Sequence, residues 1–279
     1  MKSEENPEPQ EEYILGVDPV ELKRLWTQHE VWAEDMRRLV RRAGLGPGMR
    51  VLDLGSGPGT TSFELASIVE PHGHVIACDE SPACIQDLLQ EAKKRGITWV
   101  EAHVRRAQDL GIEKGSLDAV YGRWILSWLP DVPLVFEQVS GALRPGGAYI
   151  LQEYVDWSAM RLLPRSQAFD TAIDACMASW DRGGGTINIA EKVPDLAREA
   201  GLDVESFTIN ARTGWPGSPV WGWLGDFLTS YLARLVRHGH FARDDYESFL
   251  VEWKERSLRP ESVLIAPVVA DVILRKSGT

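Results

Sequence analysis

One decapeptide sets the architecture expected for this chain: Val51-Leu52-Asp53-Leu54-Gly55-Ser56-Gly57-Pro58-Gly59-Thr60. A short apolar run ends in three alternating glycines, and an amphipathic helical pattern begins at Thr61. This order predicts a strand, a tight turn and the start of a helix. Glycine lets the backbone of such a turn come close to a ligand, and the first N–H groups of a helix attract electronegative groups. We therefore expect a cofactor site at this turn.

The spacing of the glycines bears on the class of cofactor. The last position of the dinucleotide fingerprint G-x-G-x-x-G falls on Thr60, whereas Gly59 gives the spacing G-x-G-x-G. Asp53 stands two positions before the first glycine and completes the pattern D-x-G-x-G-x-G. This pattern resembles motif I of the class I S-adenosylmethionine (SAM) dependent methyltransferases. On the motif alone, a nicotinamide or flavin cofactor and a turn that serves only packing remain alternatives.

The composition indicates a globular protein with an acidic surface. Of its 279 residues, 44% are hydrophobic and 25% are charged, and 30 basic against 41 acidic side chains give a net charge of −11. Because nucleic-acid binding rests on cationic contacts to phosphates, this balance argues against a nucleic-acid partner.

Cysteine usage and segment composition predict a cytoplasmic protein. The three cysteines form no C-x-x-C pair, which fits a reducing compartment. Residues 1–12 lack the basic and then apolar run of a secretory leader, and no apolar run reaches the roughly 18 residues of a membrane span. His and Cys show no metal-ligand spacing, so no metal is expected, although carboxylates could still assemble a Mg²⁺ site.

A second acidic residue follows the next predicted strand. Residues 74–79 read as that strand, and its last residue, Asp79, lies roughly 20 positions beyond the glycine turn. An acid at this place can accept hydrogen bonds from the ribose hydroxyls of a nucleotide cofactor. Capping of the helix that begins at Ser81-Pro82 is the alternative role, and Asp79 could fill both.

Further motifs extend the resemblance over residues 45–153. They are Gly115-Ser116-Leu117-Asp118-Ala119-Val120, Leu126-Ser127-Trp128-Leu129-Pro130-Asp131 and Leu143-Arg144-Pro145-Gly146-Gly147. In this order they resemble the small-molecule, ubiquinone-biosynthesis-like branch of the class I methyltransferases. The resemblance implies an α/β fold with a Rossmann-like seven-stranded sheet, mostly parallel with an antiparallel last strand. N-terminal helices precede this sheet, and insertions form a helical cap.

Carried over position by position, the resemblance implies a site for SAM and for its product S-adenosylhomocysteine. The ribose would lie at Asp79 and the adenine between Ala107 and Gln108. Arg123 would close over the sulfonium side, and Arg106 stands where the family usually has an acid that accepts from the adenine amino group. The residues expected to bind the cofactor are Tyr13, Asp53, Gly55, Ser56, Gly57, Gly59, Thr60, Asp79, Glu80, Ala107, Gln108 and Arg123.

Methyl transfer from SAM requires no covalent protein nucleophile, because the methyl group is already activated on a positive sulfur. The protein has to align the acceptor and exclude water. For an oxygen acceptor a general base would help, and the candidates are Glu153, Asp156 and His29. The alternative for the two carboxylates is capping or ion pairing, and for His29 it is a surface or packing position.

The sequence predicts one core interrupted by a cap. The predicted parts are a disordered tail (1–12), N-terminal helices (13–43), the SAM-binding core (44–157), a helical substrate cap (158–189 and 211–260) and the rest of the core sheet (190–210 and 261–279). The residues expected to face the substrate are Trp128, Trp157, Trp221 and Trp223. The alternative is that the cap aromatics form the cap's own core or the seam of a homodimer.

Together these features predict a SAM-dependent methyltransferase that acts on O, N or C of a small, partly apolar or aromatic molecule. An NAD(P)-dependent oxidoreductase and a SAM-binding protein without catalysis are the alternatives. No Pro-Cys pair is present for cytosine C5 methylation. Tyr121-Gly122-Arg123-Trp124 stands where amino-methylating nucleic-acid enzymes carry an Asn-Pro-Pro-Tyr-like turn.

Overall fold

The computed structural model describes residues 19–278, which form eight α-helices, two 3-10 helices and ten strands. The helices are α1 (Pro19–Arg42), α2 (Thr60–Val69), α3 (Pro82–Arg95), η1 (Leu126–Trp128), α4 (Val132–Ala142), α5 (Gln167–Arg182), η2 (Ile189–Lys192), α6 (Val193–Glu199), α7 (Pro219–Arg237) and α8 (Arg243–Ser257). The strands are β1 (Arg50–Leu54), β2 (His74–Asp79), β3 (Val100–Val104), β4 (Leu117–Arg123), β5 (Leu143–Asp156), β6 (Arg161–Leu163), β7 (Leu202–Asn210), β8 (Thr213–Gly214), β9 (Val263–Ile265) and β10 (Val268–Lys276). The predicted tail and Tyr13 lie outside the described residues.

Seven strands form one sheet in the order β3-β2-β1-β4-β5-β10-β7. Strands β1 to β5 pair in parallel, and β10 runs antiparallel to both of its neighbours, β5 and β7. The predicted mostly parallel sheet with an antiparallel last strand is confirmed. Because the strand order reverses between β1 and β4, the carboxyl ends of these two strands border the crevice in which such sheets bind ligands.

Helices cover both faces of the sheet. Val51 packs with α1, α2 and α3 on one face, and its neighbour Leu52 packs with α4 and α6 on the other. Successive residues of a strand point to opposite faces, so a strand covered on both faces is apolar throughout. This explains why β1 is mainly apolar before the glycine turn, with Asp53 as a buried polar residue within it.

The described part of the N-terminal region is one unbroken helix. The sequence predicts N-terminal helices over residues 13–43, and within the described residues α1 is a single helix of 24 residues. Trp32, Met36 and Val40 are fully buried along one side of α1, at the spacing of an amphipathic helix. His29 is also buried on this helix, where it contributes to the site described below.

The two insertions pack together. Helices α5, α7 and α8 contact one another, and their aromatic side chains form one apolar cluster with Trp32 of α1. A small sheet of order β6-β9-β8 joins them. The predicted boundary at residue 261 places Val263–Ile265 in the core sheet, whereas this strand pairs with β6 and β8. The return to the core sheet therefore comes at β10.

Within residues 19–278, no helix is both long and apolar enough to cross a membrane. Cys78, Cys84 and Cys176 are buried thiols that form no disulfide.

Candidate active site

The glycine turn joins β1 to α2, and its backbone explains its sequence. Gly55, Gly57 and Gly59 have φ values of +70°, +52° and +91°, in the left-handed region that favours glycine. The N–H groups of Gly55 and Ser56 donate to the carbonyl oxygen of Cys78 at 2.9 and 3.1 Å. These bonds fix the turn against the end of β2.

Close packing requires glycine at positions 55 and 59, whereas the space beside Gly57 is open. A Cβ on Gly55 would lie 2.8 Å from Ile125 Cδ1, and a Cβ on Gly59 would lie 2.6 Å from Leu88 Cγ. A Cβ on Gly57 would meet no heavy atom within 4 Å among the described residues. The backbone at Gly57 is therefore open to a molecule that approaches the turn closely.

Asp79 connects the glycine turn to α3. Its Oδ2 accepts a hydrogen bond from the N–H of Gly57 at 2.8 Å, and its Oδ1 accepts one from Ser81 at 2.9 Å. Burial raises the pKa of Asp79, and the two backbone donors oppose that rise. Ser81, rather than Asp79, is the N-cap of α3, where it accepts from the N–H of Cys84. The Asp79 carboxylate thus lies directly beside the open backbone of Gly57.

Asp53 anchors α2 to β1. Its side chain is 1% exposed, and its Oδ2 accepts from the hydroxyls of Thr61 and Ser62, both at 2.6 Å. Burial raises the pKa of Asp53 to about 6, while the two hydroxyls and Arg123 favour its ionised form. Thr60, the first residue of α2, is buried beside them. These bonds fix the start of α2 at the glycine turn.

His29 links α1 to the end of β4. Its Nδ1 lies 3.2 Å from Arg123 Nη2, and its Nε2 lies 3.5 Å from a carboxylate oxygen of Glu64. Glu64 also accepts from Arg37 Nη1 at 2.8 Å. Burial is the main cause that lowers the pKa of His29, so the neutral ring is favoured. A neutral ring fits both contacts, because Nδ1 then accepts from the guanidinium and Nε2–H donates to the carboxylate.

Arg123 keeps one donor free among the described residues. Its Nη1 is buried without a hydrogen-bond partner there, and its guanidinium carbon lies 5.0 Å from the centre of the Trp124 ring. A buried charged donor without a partner is costly. Arg123 is therefore suited to receive an acceptor atom from a bound molecule.

Replacing His29 by glutamine should reduce the loss of stability in acid. The folded chain holds the pKa of His29 below its ordinary value of 6.5, so below that pH the unfolded chain binds more protons and the folded state loses stability. Glutamine keeps an acceptor and a donor but does not titrate. Thermal melts at about pH 7.5 and about pH 5 should show a smaller fall in Tm for the variant. An equal fall in both proteins would contradict this account of His29.

Glu153 lies in the interior of the protein. Its Oε1 accepts from the N–H groups of Ile125 and Leu126 at 3.0 and 2.9 Å, and this fixes the chain where it enters η1, just after Arg123. Its Oε2 is buried with no partner among the described residues. Burial raises the pKa of Glu153 to about 8, against the opposing effect of the two N–H groups. At neutral pH the side chain is therefore mainly a protonated carboxylic acid.

Asp156 has the more open position of the two carboxylates. It is half-buried at the end of β5, and its Oδ1 accepts from the Ser158 hydroxyl at 2.6 Å and from the N–H of Ala159 at 3.2 Å. These bonds close the turn that leaves β5, which matches the capping role that the sequence left open.

The residues expected around the adenine lie beside the end of β2. The loop after β3 begins with Arg105, whose N–H donates to the carbonyl oxygen of Asp79 at 2.9 Å. Farther along this loop Ala107 is buried and Gln108 is half-buried, while Glu80 is exposed after β2. The structure therefore brings this loop next to Asp79 and the glycine turn.

Two of the four proposed substrate tryptophans join the rings next to Arg123. The Trp223 ring stacks on Trp124 with 5.8 Å between ring centres. Trp124 stacks on Tyr154 at 5.4 Å, and Tyr154 meets the edge of Trp157 at 5.3 Å. Trp157 and Trp223 thus lie in one continuous group of rings that begins at the end of β4.

The other two tryptophans pack against aromatic side chains of the cap helices α5 and α8. Trp128 lies 4.4 Å from Trp180, between ring centres. Trp221 stacks on Trp253 at 4.5 Å and donates from Nε1 to Ser257 at 3.0 Å. Trp221 therefore behaves as part of the cap's own core, the alternative role left open by the sequence.

Three residues of this site received no role from the sequence, namely Glu64, Trp32 and Trp124. Trp32 lies on the buried side of α1, and Trp124 directly follows Arg123 in the sequence. Glu64 lies on the helix after the glycine turn, 35 positions from His29. No local pattern connects residues so far apart. Within the described part of the chain, no three His, Cys, Asp or Glu side chains come together in a way that could hold a metal ion.

The sheet order and the glycine turn define a class I methyltransferase fold. The chain belongs to the methyltransferase domain family, which matches residues 45–202, more than half of its length. This segment contains the glycine turn, Asp79 and Arg123.

Two curated methyltransferases are similar in sequence to this chain over part of their own length. The arsenite methyltransferase of Halobacterium salinarum is 33% identical over 187 residues, which cover 61% of this chain and 48% of that protein. The demethylmenaquinone methyltransferase of Lactococcus lactis is 32% identical over 129 residues, which cover 45% of this chain and 49% of that protein. The chain therefore spans about half the length of these two curated relatives.

Solved structures show the same fold at low sequence identity. A Bacillus halodurans protein has a TM-score of 0.60 and 17% identity, with coverage of 88% of this chain and 99% of the other. A SAM-dependent methyltransferase from Aquifex aeolicus has a TM-score of 0.54 and 18% identity, with coverage of 68% and 92%.

Proposed function

We propose that this protein is a SAM-dependent methyltransferase that acts on an oxygen, nitrogen or carbon atom of a small, partly apolar or aromatic molecule. The observation that carries the proposal is the open backbone of Gly57 beside the Asp79 carboxylate. Membership of the methyltransferase domain family supports this chemistry. The curated relatives are named for arsenite and for demethylmenaquinone, so the family resemblance alone leaves the acceptor open.

The residues around the turn fit the chemical groups of SAM. The open backbone of Gly57 permits close approach, and the Asp79 carboxylate can accept from ribose hydroxyls. The unpartnered Nη1 of Arg123 can donate to a carboxylate oxygen such as the one at the methionine end. Ala107 and Gln108, on the loop beside Asp79, are proposed to hold the adenine.

SAM supplies a methyl group activated on a positive sulfur when it is bound. The chain's own contribution is to orient the acceptor and to exclude water. The buried rings of Trp32, Trp124 and Tyr154 provide an apolar surrounding next to Arg123. His29 holds Arg123 in place, so we assign it a positioning role.

An acceptor hydroxyl would also need a group that takes its proton. Asp156 is the better placed of the two carboxylates, because it is half-buried at the ligand end of β5, whereas Glu153 is fully buried and already engaged by two N–H groups. We therefore propose Asp156 for this step when the acceptor is oxygen.

Thermal melts distinguish the proposed cofactor from its alternatives. Wild-type protein should gain stability with SAM or S-adenosylhomocysteine and not with NAD(P)H, by about 2.7 kcal/mol at a hundred times the dissociation constant. Asp79→Ala should lose at least half of this gain, because the carboxylate is removed from the open side of the turn.

Gains with NAD(P)H alone would overturn the proposed cofactor. Equal gains in wild type and Asp79→Ala would overturn the assigned site. Methyl transfer is then measured with SAM labelled on its methyl group. Binding without transfer to any acceptor would favour the non-catalytic alternative.

A further inference from the structure

The interior next to Arg123 holds an excess of unpaired hydrogen-bond donors. Here the indole N–H groups of four tryptophans and one N–H position each on Arg123 and Arg212 are buried with no partner among the described residues; Arg256 Nη1 and the hydroxyls of Ser127, Tyr149 and Ser262 are also buried without one. Buried indole N–H groups usually find an acceptor. The donors are Nε1 of Trp32, Trp124, Trp157 and Trp180, Nη1 of Arg123 and Nε of Arg212.

Three other tryptophans of the described chain do have acceptors, and one of them, Trp223, stacks on Trp124 and donates from Nε1 to Gln28 Oε1 at 2.9 Å. Trp99 Nε1 donates to the carbonyl oxygen of Ala66 at 2.9 Å, and Trp221 Nε1 donates to the Ser257 hydroxyl at 3.0 Å. The fold therefore supplies acceptors for indole donors both away from Arg123 and beside Trp124. The unpaired donors need a separate explanation.

The six donors follow one path through the protein. Arg123 lies over the Trp124 ring, and Arg212 lies over the Trp32 ring, with 5.0 and 4.6 Å from guanidinium carbon to ring centre. The Trp32 and Trp124 rings are 5.5 Å apart. The path continues from Trp124 through Tyr154 and Trp157 to Trp180, each step between ring centres being 5.3 to 5.5 Å. It thus leads from the proposed cofactor site into the cap.

The charges along this path favour oxygen acceptors over a cation. Both arginines are cationic, and Asp35, the carboxylate that Arg212 contacts, is already paired with it. Glu153 precedes Tyr154 in β5, so its side chain points to the opposite face of the sheet. A positively charged amine would therefore lie near two guanidinium groups, and Asp156, beside Trp157, already accepts from the Ser158 hydroxyl and from the N–H of Ala159.

Trp124 is the strained member of the path. Its φ is +54°, a left-handed value that is unusual for a bulky side chain. Such strain persists where the surrounding structure imposes it, and it is concentrated at functional sites. The Trp124 ring also lies between Arg123 and the other rings, so it is the part of the path that a ligand entering from the cofactor side would displace.

We propose that the four indole donors and Arg212 Nε recognise the methyl acceptor, because Arg123 Nη1 is assigned to the cofactor, and that the acceptor is a flat apolar molecule with carbonyl, phenolate or carboxylate oxygens and without a positive charge. The inference rests on the proposed methyltransferase function and names the substrate class of the same site. The oxygen atoms would take the unpaired N–H groups, and the rings would stack on the flat body.

Two probes of similar shape and opposite charge test the substrate class. Calorimetry with protein saturated by S-adenosylhomocysteine compares 1-hydroxy-2-naphthoate with 1-naphthylmethylamine. We expect the naphthoate to bind at least about tenfold more tightly, because only the naphthoate brings acceptors for the buried donors. Equal affinity, tighter binding of the amine, or no binding of either probe would overturn the inference.

Single substitutions then locate the binding. Trp157→Phe and Trp180→Phe each remove one unpaired donor but keep an aromatic ring, and each should weaken naphthoate binding by about three- to tenfold. Trp221→Phe is the matched control, because its N–H already has a partner in Ser257, and it should leave the affinity unchanged. Unchanged affinity in both test variants would overturn the assigned donors, whether or not their melting temperatures change.

The same titrations separate this inference from the proposed function. Binding of S-adenosylhomocysteine is measured first, in the absence of either probe. If it binds and the probe results fail, the substrate class is wrong and the cofactor site stands. If it does not bind, the proposed function fails.

Discussion

Gly57→Ala should weaken S-adenosylhomocysteine binding by about ten- to a hundredfold, because the new methyl group would occupy the space that the cofactor uses at the turn. The substitution meets no protein atom among the described residues, so the loss would not come from packing. The only cost to the fold is the left-handed backbone, about 1–2 kcal/mol for a residue with a Cβ. Calorimetry measures the affinity, and urea unfolding measures the stability.

Gly96→Ala is the matched control for this prediction. Gly96 has a similar φ of +68°, and a Cβ on it would also meet no described heavy atom within 4 Å. It follows the last residue of α3, far along that helix from the turn at Gly57. The two variants should lose similar stability, but only Gly57→Ala should lose affinity. Equal affinities in both variants would show that the cofactor does not lie over Gly57.

Glu153→Gln should stabilise the protein at alkaline pH. The folded state holds the pKa of Glu153 at about 8 instead of 4.5, so between these values it binds more protons than the unfolded state and stability falls as pH rises. At about 1.4 kcal/mol per pKa unit, the full effect above pH 8 is on the order of 5 kcal/mol. Glutamine keeps an oxygen for the N–H groups of Ile125 and Leu126 but carries no titrating proton.

Urea unfolding of wild type and variant at acid, neutral and alkaline pH measures this effect. The advantage of Glu153→Gln should be small near pH 4.5, grow as the pH rises and become constant above about pH 8. Glu205→Gln is the control, because Arg275 lowers the pKa of that exposed carboxylate and its loss should stabilise the protein at no pH. A pH-independent difference between wild type and Glu153→Gln would contradict the account of Glu153.

The glycine turn could be predicted because it depends on a local pattern, whereas the seven-stranded sheet was implied by the resemblance to the class I methyltransferases. Alternating glycines after an apolar run need a particular backbone, and the structure has all three in the left-handed region. Asp79 was placed at the end of its strand by the same kind of local evidence. The departure at Arg106 is consistent with the structure, where its side chain is exposed.

Contacts between distant segments could not be predicted in this way. The bonds of His29 to Arg123 and Glu64 join three elements, and nothing in the local sequence of α1 indicates them. Burial of Glu153 depends on how η1 folds over the end of β5. The raised pKa of Glu153 could therefore not be predicted from the local sequence either. The local sequence does not indicate which tryptophans have a hydrogen-bond acceptor. In the structure the Trp221 N–H donates to Ser257, whereas the Trp157 N–H has no partner among the described residues.

The most direct test of the central claim is a crystal structure grown with S-adenosylhomocysteine. We expect one ordered molecule over Gly57, with its ribose hydroxyls within hydrogen-bonding distance of the Asp79 carboxylate. A glycine turn that stays empty at a saturating concentration, or a molecule bound elsewhere on the protein, would contradict it.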